Sequence, residues 1–369
     1  MLSRATYPEV WDRHGYPRSP VAATIFGSVV HRVVEHLTNT LTGSDAVAAS
    51  PQDVPGVLSA LGGWQATVER AVEAELARLQ GNPRATAGRI ERLRIDLAAR
   101  VPEAINLAKT FLGGHELSAK RGRRSGLPSG GFAAPNSRRP VGVGIHPEHD
   151  LVADSLRLTG TIDRLVVHDD GATIIDFKTG LEDESHDDQV RVYALLWALA
   201  RETNPAGRLA TELRVIYATS ERSVSAPDRA LLGALERDTA DRVAAADRVT
   251  TAPPPVANPS ESTCRYCSVR HMCGAYWSAV RPSPRDAPVD AWLDVEAVPV
   301  RPNGSRSWLA TSVSEPATEL LVRTITTDVA FPIGQRIRIL GVKRSDNVEG
   351  TERPVISMTP SSEWYSVTS

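Results

Sequence analysis

No run of about eighteen apolar residues occurs in the 369-residue chain, which excludes a membrane-spanning helix. The N-terminal stretch MLSRATYPEVWDRHGYPRSP lacks the apolar segment of a signal peptide, so a cytoplasmic protein is expected. The pattern GxxxxGK[ST] is absent, and the chain carries no P-loop motor of its own. Neither sign of charge is in real excess: 42 basic side chains stand against 44 acidic ones. A generally basic surface is thereby excluded, and contact with nucleic acid has to come from local patches. Cysteine is scarce. Its three copies, Cys264, Cys267 and Cys273, fall within ten residues, which argues for a metal or cluster site rather than disulfides.

The length exceeds what one hydrophobic core usually organises, so one large domain with an appendage is expected. Residues 24–38 place Phe26, Val29, Val30, Val33, Val34 and Leu37 on one helical stripe. A loop-like stretch at 43–56 leads to two amphipathic helices near 62–80 and 85–112, and residues 119–140 form a basic, Gly/Pro/Ser-rich insertion. Strands dominate 141–178, followed by a helix at 186–201, a strand at 213–219 and a helix near 226–247. Beyond residue 288 only short strand candidates and turns remain, the pattern of a small β-barrel or sandwich of about eighty residues.

The segment GTIDRLVVHDDGATIIDFKTG, residues 160–180, reads as a hairpin with apolar residues on both faces. With Asp170-Gly171 at the tip, Asp163 faces Lys178; with Asp169-Asp170 at the tip, Asp163 faces Asp176. Either register projects Asp163, Asp176 and Lys178 from one face. Two carboxylates in such a place repel each other and lose hydration, and one lysine balances only one of them. A divalent hard cation completes the balance, although a plain ion pair fits the spacing equally well. On the first helix His31 and Glu35 lie four apart, in line with Gly27, whose missing side chain permits a close approach. Gln189 and Tyr193 are likewise four apart on the helix at 186–201.

Taken in order, GSVVHRVVE, GTIDRL, IIDFKTG and QVRVYALL resemble the RecB-type branch of the PD-(D/E)xK nucleases over roughly residues 20–275. The resemblance implies an α/β restriction-endonuclease-like core, a mixed central sheet flanked by helices. It places a nuclease domain over 1–280, with a helical insertion at about 43–112 and the cysteine segment at 264–273. By the same resemblance His31, Asp163, Asp176 and the Phe177 carbonyl hold Mg²⁺ or Mn²⁺, and Lys178 activates water and steadies charge on the phosphate. Gln189 and Tyr193 support the site and touch the DNA backbone. Glu116 and Glu35 are the candidates for a further acid.

CRYCSVRHMC resembles the C-terminal part of an iron–sulfur staple, which uses four cysteines. A 4Fe–4S cluster whose fourth cysteine precedes this sequence, a Zn²⁺ or cluster site completed by a histidine such as His271 or His14, and a lost cluster all stay open. Residues 288–369 resemble an OB-fold. Trp292, Trp308, Trp364 and Tyr365 are its candidate stacking residues, and Arg336, Arg338, Lys343 and Arg344 its candidate basic groove for single strands. The implied activity is a metal-dependent deoxyribonuclease, an exonuclease in repair, recombination or defence, with a helicase or defence complex as partner. A catalytically silent DNA-binding scaffold and a zinc-stabilised structural protein are the competing classes.

Overall fold

The apolar stripe of residues 24–38 becomes the buried face of helix α1, Ala22–Gly43. The computed structural model of the chain describes residues 16–43, 54–113, 139–253, 255–279, 283–314, 316–346 and 353–367. Glu116, His14 and most of the basic insertion at 119–140 lie outside these residues. Val29, Val30, Val33 and Leu37 of α1 are almost wholly buried. Each contributes roughly 2 kcal/mol relative to an exposed position, before ordering entropy is set against it.

Around α1 stand α2 (Val54–Ala60), α3 (Gly63–Ala77), α4 (Ala87–Ala99) and α5 (Val101–Gly113). A buried Arg32–Glu75 pair at 2.5 Å ties α1 to α3. The single helix expected near 85–112 is two helices, broken at Arg100. Pro102 explains the break: it offers no N–H to the preceding turn and restricts the residue before it. Thr86 caps α4 by accepting from Arg89 N at 3.3 Å.

The central sheet has the order β1-β2-β3-β4-β5, namely Gly144–Ala153, Leu158–Val167, Ala172–Phe177, Ala210–Ile216 and Glu221–Val224. The first three strands form an antiparallel meander. Helix α6, Ser185–Leu199, then crosses over so that β4 runs parallel to β3. Ile175, Phe177 and the half-buried Val166 pack on the helices around α1, whereas Leu165, Val167 and Ile174 pack on Val190, Ala194 and Trp197 of α6.

The β2–β3 pairing runs Leu165↔Ile174 and Val167↔Ala172, which puts Asp169-Asp170 at the tip, the second of the two registers. Gly171 serves a different purpose from a turn glycine. A Cβ there would stand 2.6 Å from Thr211 Cγ2, so the glycine lets β4 begin close by. Gly160 has a similar use on β2: a Cβ would meet Leu196 Cδ1 at 2.9 Å and Tyr193 Cε1 at 3.2 Å. Gly160→Val is expected to cost roughly 1–3 kcal/mol in urea denaturation and to displace α6 from the strand.

The chain divides into two compact units, one of residues 20–81 and 85–245, the other of 1–19, 82–84 and 246–369. The division differs from the expected boundary near 280, because the cysteine segment groups with the C-terminal strands. Those strands are β6 (Trp292–Gly304), β7 (Ser307–Ser312), β8 (Glu319–Arg323), β9 (Ile337–Ser345), β10 (Val355–Ser357) and β11 (Glu363–Ser366). β6, β7 and β8 pair in sequence, β9 pairs with β6, and β10 closes the ring by pairing with both β8 and β9. Such a closed five-strand ring, with β11 added beside β9, is compatible with an OB-like barrel.

Asp294 on β6 fastens the cysteine segment to this barrel. It accepts from Arg270 Nε at 2.6 Å, Tyr276 Oη at 3.0 Å and Gly341 N at 2.8 Å. Arg84 adds a buried ion pair to Glu363 and donates to Ser268 O at 3.1 Å.

Candidate metal centre and active site

Three carboxylates lie abreast on adjacent strands. The β1–β2 register, Pro147↔Arg164 and His149↔Ile162, sets Glu148 opposite Asp163. The β2–β3 register, continued by one residue, sets Asp163 opposite Asp176. α1 brings His31 to them: Nδ1 lies 3.1 Å from Glu148 Oε1 and 3.3 Å from Asp163 Oδ1. Gly27 permits that approach, since a Cβ at this position would stand 3.2 Å from Thr179 Oγ1, just beyond Lys178. Asp163 is held in turn by the Phe177 N–H, which donates to Oδ2 at 2.5 Å.

On the other side of the row, Lys178 Nζ lies 2.8 Å from Asp176 Oδ2 and donates to Gln189 Oε1 at 2.8 Å. Gln189 Nε2 donates to Tyr193 Oη, also at 2.8 Å. The (i, i+4) spacing of Gln189 and Tyr193 on α6 produces this relay, and Gly160 sets the height of Tyr193 above the sheet. His31, Glu148, Asp163, Asp176, Lys178, Gln189 and Tyr193, with Glu35 and Phe177, line one cleft of about 650 Å³.

The charges are under strain. Burial and the neighbouring Asp163 push the Asp176 carboxyl up to about 6, against the pull of Lys178. Burial, then Asp163, also raises Glu148 despite its hydrogen bond to His31. For His31, burial favours the neutral ring, but Asp163 and Glu148 override it and hold the imidazolium up to about 10. Tyr193 is pushed up to about 12 by burial, so its hydroxyl keeps its proton. Glu35 is raised by burial and by Glu148, and it stands at the edge of the acidic row.

The donor set fits a divalent metal. His31, Glu148 and Asp163 each offer a ligand atom, all within 4.8 Å of one another. Octahedral Mg²⁺ at about 2.1 Å from its ligands spaces neighbouring donors about 3 Å apart, close to the 3.1 and 3.3 Å separations at His31. Asp176 Oδ2, buried and facing Lys178 Nζ at 2.8 Å, is a further oxygen beside this group. His31 has to release its Nδ1 proton before that nitrogen can act as a ligand.

Glu148 is the acid that sequence reasoning missed. Glu116 was the expected strand acid, and it lies outside the described residues. Glu148 follows Pro147, which interrupts the ladder, and its backbone is left-handed with φ 43°. Such a conformation in a non-glycine residue costs on the order of 1–3 kcal/mol and clusters at functional sites. The cue in the sequence was a Pro-Glu pair inside a strand otherwise fit for burial. Glu148→Gln is expected to raise the Mn²⁺ concentration for half-maximal activity by about tenfold, measured by metal titration, with the melting temperature preserved.

The cysteines lie in the other unit. Cys264, Cys267 and Cys273 are free and half-exposed, and their sulfurs do not gather within 4.8 Å of one another. Tetrahedral zinc, with Zn–S near 2.3 Å, holds sulfurs roughly 3.8 Å apart, so the three thiols do not fit that site as arranged. His271, a candidate completing ligand, has one ring nitrogen engaged, and its Nδ1 is buried without a hydrogen-bond partner. Its ring stacks on Tyr365 with centroids 3.9 Å apart, and Nε2 lies 3.3 Å from Tyr16 Oη. For a four-thiolate cluster the described residues supply one donor too few.

The expected stacking platform is mostly half-buried. Trp308 and Trp364 pack against the barrel core, Tyr365 lies under His271, and only Trp292 of the four is largely exposed, at 59%. Among the basic candidates Arg344 is buried, Arg338 lies 3.4 Å from Glu296, and Lys343 pairs with Asp290 at 3.1 Å. Arg336 is half-exposed, 3.6 Å from Glu296.

The family model described as the PD-(D/E)XK nuclease superfamily matches residues 8–274, well over half of the chain. The chain belongs to the PD-(D/E)XK nuclease superfamily. A nuclease of this superfamily is a hydrolase of phosphodiester bonds that usually works with Mg²⁺ or a similar cation. No curated protein matches the sequence. Among solved structures, the tetrameric p202 HIN2 is 17% identical over 23% of this chain and 45% of its own, with a TM-score of 0.20. The chain thus spans less than half of that structure. A murine DNA-binding protein bound to double-stranded DNA is 8% identical over 60% of this chain and 90% of its own, also at 0.20. The Ifi202 HINa domain in complex with a 20-bp duplex is 7% identical over 61% and 92%, again at 0.20. At such scores these likenesses carry no argument for the PD-(D/E)XK chain.

Proposed function

We propose that this protein is a Mg²⁺- or Mn²⁺-dependent deoxyribonuclease of the RecB type, cutting DNA from its ends. The observation that carries the reading is the convergence of His31, Glu148, Asp163, Asp176 and Lys178 on one cleft, with donor separations suited to an octahedral cation. His31, Asp163 and Glu148 would hold the metal, joined by Asp176 and the Phe177 carbonyl. When bound, it polarises the phosphodiester and lowers the pKa of coordinated water.

The protein's own side chains supply the rest. Lys178, held between Asp176 and Gln189, presents its ammonium where negative charge develops on the phosphate. Gln189 accepts from Lys178 and donates to Tyr193, which fixes the amide orientation and leaves the Tyr193 proton free to reach a DNA phosphate oxygen. The OB-like barrel would offer single-stranded DNA a second surface, with Trp292 as its exposed aromatic. A helicase would supply such strands, in repair, recombination or defence.

Digestion of linear and circular DNA, single- and double-stranded, with Mg²⁺, Mn²⁺ or EDTA tests the proposal. Metal-dependent loss of linear substrate with circles spared is the expected result. Cleavage of circles replaces the exonuclease with an endonuclease. DNA binding by folded protein without any cleavage in either metal leaves the scaffold reading in its place.

A further inference from the structure

Arg164 is the residue after Asp163, and strand alternation turns it away from its neighbour into the helix-covered core. Its side chain is fully buried, with 0% exposure. One nitrogen is accounted for: Nη2 donates to Phe111 O, in the last turn of α5, at 3.1 Å. The guanidinium carbon lies 4.9 Å from the centroid of the Phe177 ring, which stacks on Phe111 at 4.7 Å. Nε and Nη1 have no hydrogen-bond partner, and no carboxylate forms an ion pair with Arg164 among the described residues.

A guanidinium keeps its charge in proteins, and burying one without a paired anion is expensive. A methionine of similar length would fill the same space and stack on the same rings without that cost. Packing therefore accounts for the size of the side chain but leaves its charge unexplained. Among the described residues, the anion that favours its charged form against burial is Asp163, its neighbour on β2 and the middle member of the acidic row.

We infer that Arg164 is a positioning residue of the metal site, a built-in counter-charge that holds the carboxylate row together before the cation arrives. The inference rests on the metal-binding reading of the cleft. Three carboxylates face Lys178 and His31 on the cleft side, and Arg164 adds a permanent positive charge from behind them. That charge stabilises the metal-free fold, and it opposes the cation that later takes its place in the balance. Removing it makes the protein more dependent on metal for stability and makes metal bind more tightly. A purely structural role predicts neither change.

The test compares wild type with Arg164→Met and Arg164→Lys at pH 8, using thermal denaturation with and without Mn²⁺ and calorimetric titration of Mn²⁺. Arg164→Met is expected to melt lower without metal, to recover most of that loss in saturating Mn²⁺, and to bind Mn²⁺ on the order of tenfold more tightly. Arg164→Lys, which keeps the charge, should bind as wild type does. A methionine variant that folds only with Mn²⁺ present also supports the inference. Equal Mn²⁺ affinity in wild type and Arg164→Met overturns it, as does failure of the variant to fold with or without metal. A folded wild type that binds no Mn²⁺ removes the reading of the cleft, and the inference with it.

Discussion

Asp176→Asn and Lys178→Ala each lower phosphodiester cleavage by about a thousandfold or more, and the asparagine variant melts no lower than wild type in the absence of metal. The first half follows from position. Asp176 stands beside the His31–Glu148–Asp163 donor group, and Lys178 is the cation placed beside it at 2.8 Å. The second half follows from the direction in which Asp176 is perturbed. Burial and Asp163 raise it from the usual value of 3.8 to about 6, so the folded protein binds its proton more tightly than the unfolded chain does. Stability from this group is therefore full below about pH 4 and lost as pH rises through 6. At pH 8 the charged carboxylate is a liability to the metal-free fold, and a neutral amide removes it. Activity on end-labelled DNA and thermal denaturation at pH 8 check the two halves separately. An asparagine variant that is inactive because it is unfolded contradicts this account; one that is folded and still cleaves DNA removes Asp176 from the chemistry.

Asp294→Ala is expected to cost the C-terminal unit about 3–5 kcal/mol. The carboxylate is buried and accepts from Arg270, Tyr276 and the Gly341 backbone N–H. Its removal leaves the Arg270 guanidinium, itself poorly exposed, without an anion. Tyr276 and Trp277, which pack with Cys264 and Cys273 against Leu340, lose the point that joins them to β6. Hydrogen exchange over residues 264–279, read beside urea denaturation of the full chain, should show this segment opening first. A loss under 1 kcal/mol would mean that the Arg84–Glu363 pair and the Arg338 bond to His271 O carry the attachment instead.

The nuclease core was legible wherever its signals are local. The stripe on α1, the alternation in β2 and β3 and the four-residue spacing of Gln189 and Tyr193 each depend on one element's own period. The structure brings their polar members, His31, Asp163, Asp176, Lys178 and Gln189, into one cleft. Glu148 was hidden because its place is fixed by the register of β1 against β2, and Pro147 breaks the alternation that would have marked it. The cysteine segment was legible only in part. Its spacing points to sulfur ligation, but the side chain that fastens it, Asp294, is twenty-four residues beyond Arg270 and invisible to spacing. For the aromatic residues of the barrel, the sequence left stacking and core roles equally open. Composition does not say which side of a curved sheet a tryptophan occupies, and Trp308 and Trp364 face the interior.

Gly160 lies on β2 three residues before Asp163, and what touches it is α6, through Tyr193 and Leu196. Tyr193 holds Gln189, Gln189 holds Lys178, and Lys178 extends β3, which pairs with β2. The parts therefore form a closed mechanical loop, like a frame braced at every corner, in which the gap above one glycine sets the reach of the lysine. Changes at Gly160, Leu196 and Tyr193 should then compensate one another in combination. A suppressor of a bulky residue at Gly160 would be found on α6 as a smaller side chain at Leu196, away from the reacting atoms.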